Sequence, residues 1–539
     1  MSRWKRNSSF TLWLVALLFC SAVSTSNGQQ VGTSCTSPRV RKSWDAFDAS
    51  EKKLYLDAVA LAMDKGFYTK FIQIHTDSVS GNEAHQNCMF IYWHRMLLLG
   101  YENMLRSLDP KYQCVTIPVW DHLSNTARAV ASGVTSSGIN LERFSSIITD
   151  TGGTSNGLSK SLSIYGTTIS YSSTIKCVGK YPLSQFCGNN SVCAHCMMRT
   201  QNTTASYIYP AEASFASVYQ QIFSYDDLTN FVNQVERGVH NTVHNAVSGI
   251  MAYFQAPADP IFFSHHALID VLQTIYLKCQ NGGDGVFLSA DTKSSDPRFW
   301  QSCVRKDKVN YYTTSDTVAM RVLANNGASY VNVWQDPNNM LYPFFKDLPN
   351  KYTDYVDAKD MGNYSYTYNI SGALANMYTN CKDSNTIDAT SSTQPSFMAE
   401  PSQESEDTHD GDLEPIIQPG TVNDDIVKRW NIVLYESARI VGYEEWAARD
   451  QVEMIRCQYQ ADCLGGVADF SDLYRKNFGI TGHTRCFTII EDLKAGDRII
   501  GIPDWKGITN RFLSCAKYQK KEVVSSFAKA VDQMQKSIS

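Results

Sequence analysis

The sequence predicts a mainly α-helical protein with long loops, few strands and a smaller helix-rich C-terminal domain. Three observations carry that expectation. Apolar residues recur at helical spacing both before and after residue 400; strand-like signal is nearly confined to Cys114-Val115-Thr116-Ile117-Pro118-Val119; and between Lys382 and Val422 large apolar residues give way to Ser, Thr, Pro and acids. Such a stretch cannot bury enough apolar surface to offset its ordering entropy, so it reads as a flexible acidic linker. At 539 residues and 43% hydrophobic content the chain has material for a large core, and about one domain per 100–200 residues allows two to four domains. The expected division is 1–27 as a signal peptide, 28–382 as the main domain, 383–422 as linker and 423–539 as the C-terminal domain.

The signal-peptide reading rests on the 11-residue apolar stretch Phe10 to Cys20, which follows Arg3, Lys5 and Arg6. It is about half the length that a membrane-spanning helix needs, although a signal anchor is the alternative. Secretion and no membrane association after cleavage are therefore expected. Fourteen of the 15 cysteines follow Cys20, an even number suited to pairing in an oxidising compartment. Ten lie before residue 383 and four after residue 456, which predicts two separately stapled parts. The sequons at Asn189, Asn202, Asn363 and Asn369 would be surface acceptors in a secreted glycoprotein. With 48 basic against 53 acidic residues, no strongly basic face is available for a nucleic acid.

Among the helices, Ser50 is suited to cap one that runs through Leu54, Ala58 and Leu61 to Gly66. The run Met89 to Leu108 supplies about five turns before Pro110, and Asp424 to Arg456 is strongly helical. The Ser/Thr/Gly-rich stretch Ser124 to Ser173, interrupted by Leu141, Phe144, Ile147 and Ile148, reads as a long surface excursion.

Nine of the eleven histidines lie before residue 383, mostly in two clusters. In His240-Asn241-Thr242-Val243-His244 the i, i+4 spacing puts both imidazoles on one helix face, within reach of one metal. A zinc peptidase would need Glu directly after the first His, where Asn241 stands. Asp259 and Pro260 begin a further helix on which His265 or His266 could supply a third ligand. Asp270, one turn beyond His266, is suited to orient an imidazole. In the other cluster, His85 and His94 are nine residues apart, half a turn net on a straight helix. His75 is therefore expected at the end of one helix, His85 in a loop and His94 on the Met89–Leu108 helix. Two all-imidazole triads favour copper, with two structural zinc sites as the alternative. Cys177, Cys187, Cys193, His195 and Cys196 resemble a zinc knuckle, but export favours disulfides.

Together, His75, His85 and His94 with Trp93-His94-Arg95 and Tyr101-Glu102, then His240 and His244 with Asp259-Pro260-Ile261-Phe262-Phe263-Ser264-His265-His266 and Asp270, closely resemble the two copper-binding motifs of tyrosinases. Tyr364, Tyr366 and Tyr368 resemble the Tyr-x-Tyr segment of plant and fungal relatives. The resemblance implies an antiparallel helix bundle around a dicopper centre, with His75, His85 and His94 on one copper and His240, His244 and His266 on the other. It implies O2 as co-substrate and a small phenolic substrate, ortho-hydroxylated as a monophenol and oxidised to an ortho-quinone as a diphenol. Glu236 and Asn241 match the pair that holds a water serving as base, which favours a tyrosinase over a catechol oxidase without monophenolase activity. Tyr253 stands where some relatives place a bulky residue over the first copper. The family's thioether is not expected, because Glu83 takes the place of its Cys, and Trp120-Asp121-His122 departs from the usual Trp-Asp-Trp.

A haemocyanin-like oxygen carrier would use the same centre. Such carriers usually repeat the unit, and this chain has one. In plant and fungal relatives a C-terminal domain covers the site until it is cut away. Residues 423–539 are expected either to shield the site, with an activating protease acting at the linker, or to form a separate binding module.

Overall fold

The computed structural model describes residues 35–538, except 134–138, 189–192, 202–207, 284–285, 326, 384–412 and 519–525. The signal peptide, most of the expected linker, and the sequons at Asn189 and Asn202 lie outside the described residues. The architecture is mainly helical with short strands, as the sequence predicts, and its centre is a helical core that carries both histidine clusters. No helix among the described residues is long and apolar enough to cross a membrane.

The helix Ala49–Asp64 is capped by Asp48, whose side chain accepts from the Ser50 and Glu51 backbone amides while Glu51 reaches back. Ser50 is thus inside the helix, because the carboxylate two residues earlier satisfies two free donors where a hydroxyl would satisfy one. Lys65 and Gly66 (φ 77°) end it, and Phe67–Thr76 follows at once, with His75 in its last turn. Every residue from Phe90 to Arg106 in the helix Phe90–Ser107 is buried. A helix buried on all sides belongs at the centre of a fold, and here it packs against Ile261–Asn281, likewise buried along most of its length.

Asp270 fastens these two helices together. Its carboxylate accepts from Arg95 Nε at 2.6 Å, from Arg41 Nη1 at 3.2 Å and from the hydroxyls of Tyr366 and Tyr368. Arg41 also donates to Glu102 at 3.0 Å and lies over the Tyr366 ring at 3.9 Å. Asp270 thus serves the helix framework rather than an imidazole: two guanidinium groups and two phenols already use its oxygens. Arg41 and Tyr368 lie on neighbouring strands of a parallel three-stranded sheet, Val40–Lys42, Thr367–Ser371 and Ile416–Gln418, in which Val40 pairs Thr367 and Asn369 pairs Ile416.

That third strand belongs to the stretch read as linker, so residues after Leu413 are built into the sheet. Asp424 to Arg456 is not one helix but a hairpin, Val422–Ile440 and Glu445–Cys463, with the turn at Gly442 (φ 97°). Cys114–Val119 forms no strand; its end is stitched to the N-terminal segment by Val119 N–H to Lys42 O and Trp44 N–H to Val119 O. Ser124–Ser173 begins inside the helix His122–Ala131 and buries Leu141, Ile147 and Ile148, so it is only partly a surface excursion.

Seven disulfides join all fourteen cysteines after Cys20: Cys35–Cys114, Cys88–Cys303, Cys177–Cys196, Cys187–Cys193 and Cys279–Cys381 before residue 383, Cys457–Cys486 and Cys463–Cys515 after it. No bond links the two sets, and the knuckle-like cysteines are paired with each other. The C-terminal helices nevertheless share one continuous hydrophobic core with the rest, through Trp430, Leu434, Ile455 and Tyr459. Buried polar contacts cross the same boundary: Glu453 accepts from Ser217 Oγ at 2.7 Å, and Glu212 accepts from the Cys486 amide at 2.8 Å.

Candidate metal centre

His75 comes from the end of Phe67–Thr76, His85 from the irregular segment after Ser78–Glu83, and His94 from the first turns of Phe90–Ser107. One ring nitrogen of each lies within 4.8 Å of the others. His240 closes a π-helical turn, Glu236–His240, and His244 lies one turn on in Asn241–Val247. The wide turn depends on Gly238, where a Cβ would come within 2.3 Å of the Gln221 amide group. Nitrogens of His240, His244 and His265 also lie within 4.8 Å of one another. The two sets face each other, with His85 and His240 ring centroids 6.4 Å apart.

Each ring is aimed by its Nδ1. His75 bonds Phe254 O at 2.6 Å, His85 Gly81 O at 3.0 Å, His94 Phe90 O at 2.9 Å and His244 Met251 O at 2.8 Å; His240 bonds Asn241 Oδ1 at 2.9 Å. These acceptors keep the proton on Nδ1 and leave the Nε2 lone pair free. Nε2 of His75, His94, His240, His244 and His265 is buried without a hydrogen-bond partner. Burial lowers every one of these pKa values, to about 3 for His75 and about 4 for His244, so the rings are neutral at pH 7. Buried, neutral, unpartnered imidazole nitrogens suit a soft or borderline cation such as copper or zinc.

His265 joins the second set geometrically. Its Nδ1 lies 2.9 Å from Nε2 of His122, whose Nδ1 meets the Tyr209 hydroxyl at 2.6 Å. His266 stands in the same cavity, stacked on His94 at 4.0 Å and 4.9 Å from His240, with neither nitrogen hydrogen-bonded. The departure from Trp-Asp-Trp thus puts an imidazole behind His265.

Glu236 is buried and accepts from the Gln86 amide at 2.8 Å; burial pushes its carboxyl up to about 7, and that hydrogen bond only partly offsets it. Asn241 is held through Oδ1 by His240 and by the Tyr474 hydroxyl at 2.8 Å. Glu83 pairs with Arg305 at 2.8 Å, and Cys88 is occupied by its disulfide. Phe254, rather than the half-exposed Tyr253, flanks the first set, 5.4 Å from the His85 ring, because the chain turns between them.

Sequence reasoning missed a second layer from the C-terminal region. The helix Asp472–Phe478 presents Tyr474 and Phe478, with Phe478 5.7 Å from His85 and 4.7 Å from Phe254. Gln86 Nε2 donates to Phe478 O, Asn477 donates to Ala252 O at 2.7 Å, and Asn245 bonds Asp469 and Ser471. Phe470, Tyr474 and Phe478 recur every four residues, a pattern that sequence alone cannot tell from a packing stripe.

The helical core brings two histidine triads face to face, and each triad could hold a metal ion. Residues 65–278 match the tyrosinase model, the common central domain of tyrosinase. It is similar to the tyrosinase of Streptomyces glaucescens, 29% identical over 270 residues that cover 47% of this chain and 87% of that protein. A tyrosinase-like protein of Diaporthe leptostromiformis is 26% identical over 264 residues, 44% of this chain and 63% of its own. A solved polyphenol oxidase from Thermothelomyces thermophila overlaps 61% of this chain and 90% of its own at 16% identity and a TM-score of 0.36, too loose to carry an argument. The segment that carries both histidine clusters is thus similar to the central domain of tyrosinases, a family of oxidoreductases.

Proposed function

We propose that the protein uses O2 to ortho-hydroxylate monophenols and to oxidise ortho-diphenols to ortho-quinones. The supporting observation is the pair of facing clusters of neutral imidazoles with buried, unpartnered Nε2 atoms. His75, His85 and His94 would hold one copper; His240 and His244, with His266 by family resemblance or His265 by proximity, would hold the other. The chemistry that copper supplies when bound is electron exchange between a phenol and O2. The surrounding residues do the rest. Glu236, poised near neutrality, takes the phenol proton directly or through a water. Asn241 fixes the His240 tautomer. Phe254 and Phe90 wall the site and keep it apolar, Phe90 lying 4.7 Å from the His240 ring.

In the intact chain Phe478 and Tyr474 occupy the approach to this site, which supports the shielding role for residues 423–539 over a separate binding module. Because that region shares the main core, a protease cut between 383 and 412 leaves the shield seated until the pieces separate. The tyrosinase names of the relatives favour an enzyme over an oxygen carrier. The cysteine pairing supports export, and Asn363, exposed, is better placed for glycosylation than Asn369 in the sheet.

The test is to load the protein with copper, count two metal ions per chain, and follow O2 uptake with catechol and with tyramine before and after Phe478→Ala. Uptake with both establishes the reading; uptake with catechol alone reduces it to catechol oxidation. A folded, copper-loaded F478A protein that consumes no O2 with either sinks it.

A further inference from the structure

A second cavity, of about 860 Å³, lies away from the histidines between the helices His122–Ala131, Phe215–Phe223, Gly372–Asn380 and the hairpin Val422–Cys463. Its walls are largely apolar, from Leu123, Val130, Phe215, Val427 and Ile432. Set into them is Arg456, 1% exposed. Nη1 donates to Gln460 Oε1 at 2.9 Å, but Nε and Nη2 have no partner. Those two atoms form one edge of the guanidinium, the parallel fork that accepts a carboxylate through two hydrogen bonds.

A buried charge left half-paired is costly, and no carboxylate forms an ion pair with this one among the described residues. Burial drives its pKa down to about 10, with only Tyr459 and Glu212 opposing through space. The same cavity is lined by two unpartnered acceptors on one face of Val422–Ile440: Oδ1 of Asp424 and Oδ1 of Asn431, both side chains at least 95% buried. A two-donor fork, two acceptors and an apolar wall in one cavity describe a ligand with a carboxylate, a hydrogen-bond donor and an apolar body.

We propose that this cavity binds a free amino acid with an apolar side chain, its carboxylate on the Nε/Nη2 edge of Arg456 and its ammonium toward Asp424 Oδ1 and Asn431 Oδ1. The site is independent of the copper reading, since none of these residues belongs to the histidine clusters.

The test is thermal unfolding of the full-length, copper-loaded protein with leucine, 4-methylpentanoate, isopentylamine or sodium chloride at equal millimolar concentrations. Leucine raises Tm by at least about 1 °C in a saturable manner, 4-methylpentanoate raises it less, and isopentylamine and chloride leave it unchanged. Arg456→Met, which replaces the half-paired charge with an apolar chain of similar length, raises Tm without ligand and abolishes the leucine response. Arg456→Lys keeps the charge but not the fork and weakens the response. No shift with leucine overturns the proposal. So does a shift that survives R456M, which would place leucine elsewhere, the copper centre included. An equal shift with chloride would mean a simple anion site, and a fall in Tm for unliganded R456M would mean a structural arginine; either overturns it as well.

Discussion

The hydroxyl of Tyr474 donates to Oδ1 of Asn241 at 2.8 Å, although 233 residues separate them in the chain. Asn241 Oδ1 also receives Nδ1–H of His240, so the C-terminal region holds on to an atom that orients the His240 ring. Phe478, one turn further along the same helix, covers His85.

Replacing Phe478 with Ala should therefore raise catechol turnover severalfold while costing about 3 kcal/mol of stability through the cavity left behind. Oxygen-electrode rates and urea midpoints on the same preparation check both. Unchanged turnover in a folded F478A protein would end the shielding interpretation.

Glu236 gives a pH signature with two opposite limbs. Its folded pKa, about 7, lies above the unfolded value of about 4.3, so the fold favours the neutral acid. Stability from this group is complete below about pH 4 and declines as pH rises through 7, while the ionised base becomes available over the same interval. Monophenol turnover should rise between about pH 6 and 8 as stability falls slightly. Glu236→Gln should flatten both profiles; a wild-type limb retained in E236Q would assign it to another group.

Asp270 and Glu102 behave in the opposite sense. Burial alone would raise both, but Arg95 and Arg41 beside Asp270, and Arg41 and Arg39 beside Glu102, hold them below the ordinary carboxylate range. Their contribution is present above the unfolded values of about 3.9 and 4.3 and is lost as pH falls through the folded ones. Asp270→Asn leaves two buried guanidinium groups short of a countercharge and should cost about 3–5 kcal/mol, read from urea unfolding at pH 7. A loss below about 1 kcal/mol would show that the network is not what joins the two helices.

His122 reaches His265 through a 2.9 Å contact and should act on metal binding rather than on folding alone. His122→Phe removes the group that orients His265 and should weaken the second copper about 10–100-fold while the first keeps its affinity. Copper titration followed by equilibrium dialysis separates the two sites. Equal weakening of both, or of neither, would leave His122 a packing residue.

Much of this was legible in the chain itself. The spacing around His75, His85 and His94 required three separate elements, and three are found, because nine residues cannot bring two side chains to one face of a straight helix. The helix Phe90–Ser107 was visible as a long, mostly apolar run, and the grouping of cysteines about residue 383 anticipated two unlinked disulfide sets. Asp270 was legible only as a polar residue one turn past a histidine. Its partners Arg41 and Tyr368 are 229 and 98 residues away, and no local pattern distinguishes an imidazole from a guanidinium across such distances.

By itself the sequence determined what depends on neighbours along the chain: helices from periodicity and the types and spacing of candidate metal donors. The tertiary structure alone decided what depends on convergence: that His265 and His266 both approach His240 and His244, that His122 stands behind His265, and that Tyr474 and Phe478 of the C-terminal region pack beside the histidines. The physical reason is that periodicity is a property of one segment, whereas the orientation of an imidazole or the seat of Phe478 is fixed by segments that meet only when the shared core closes.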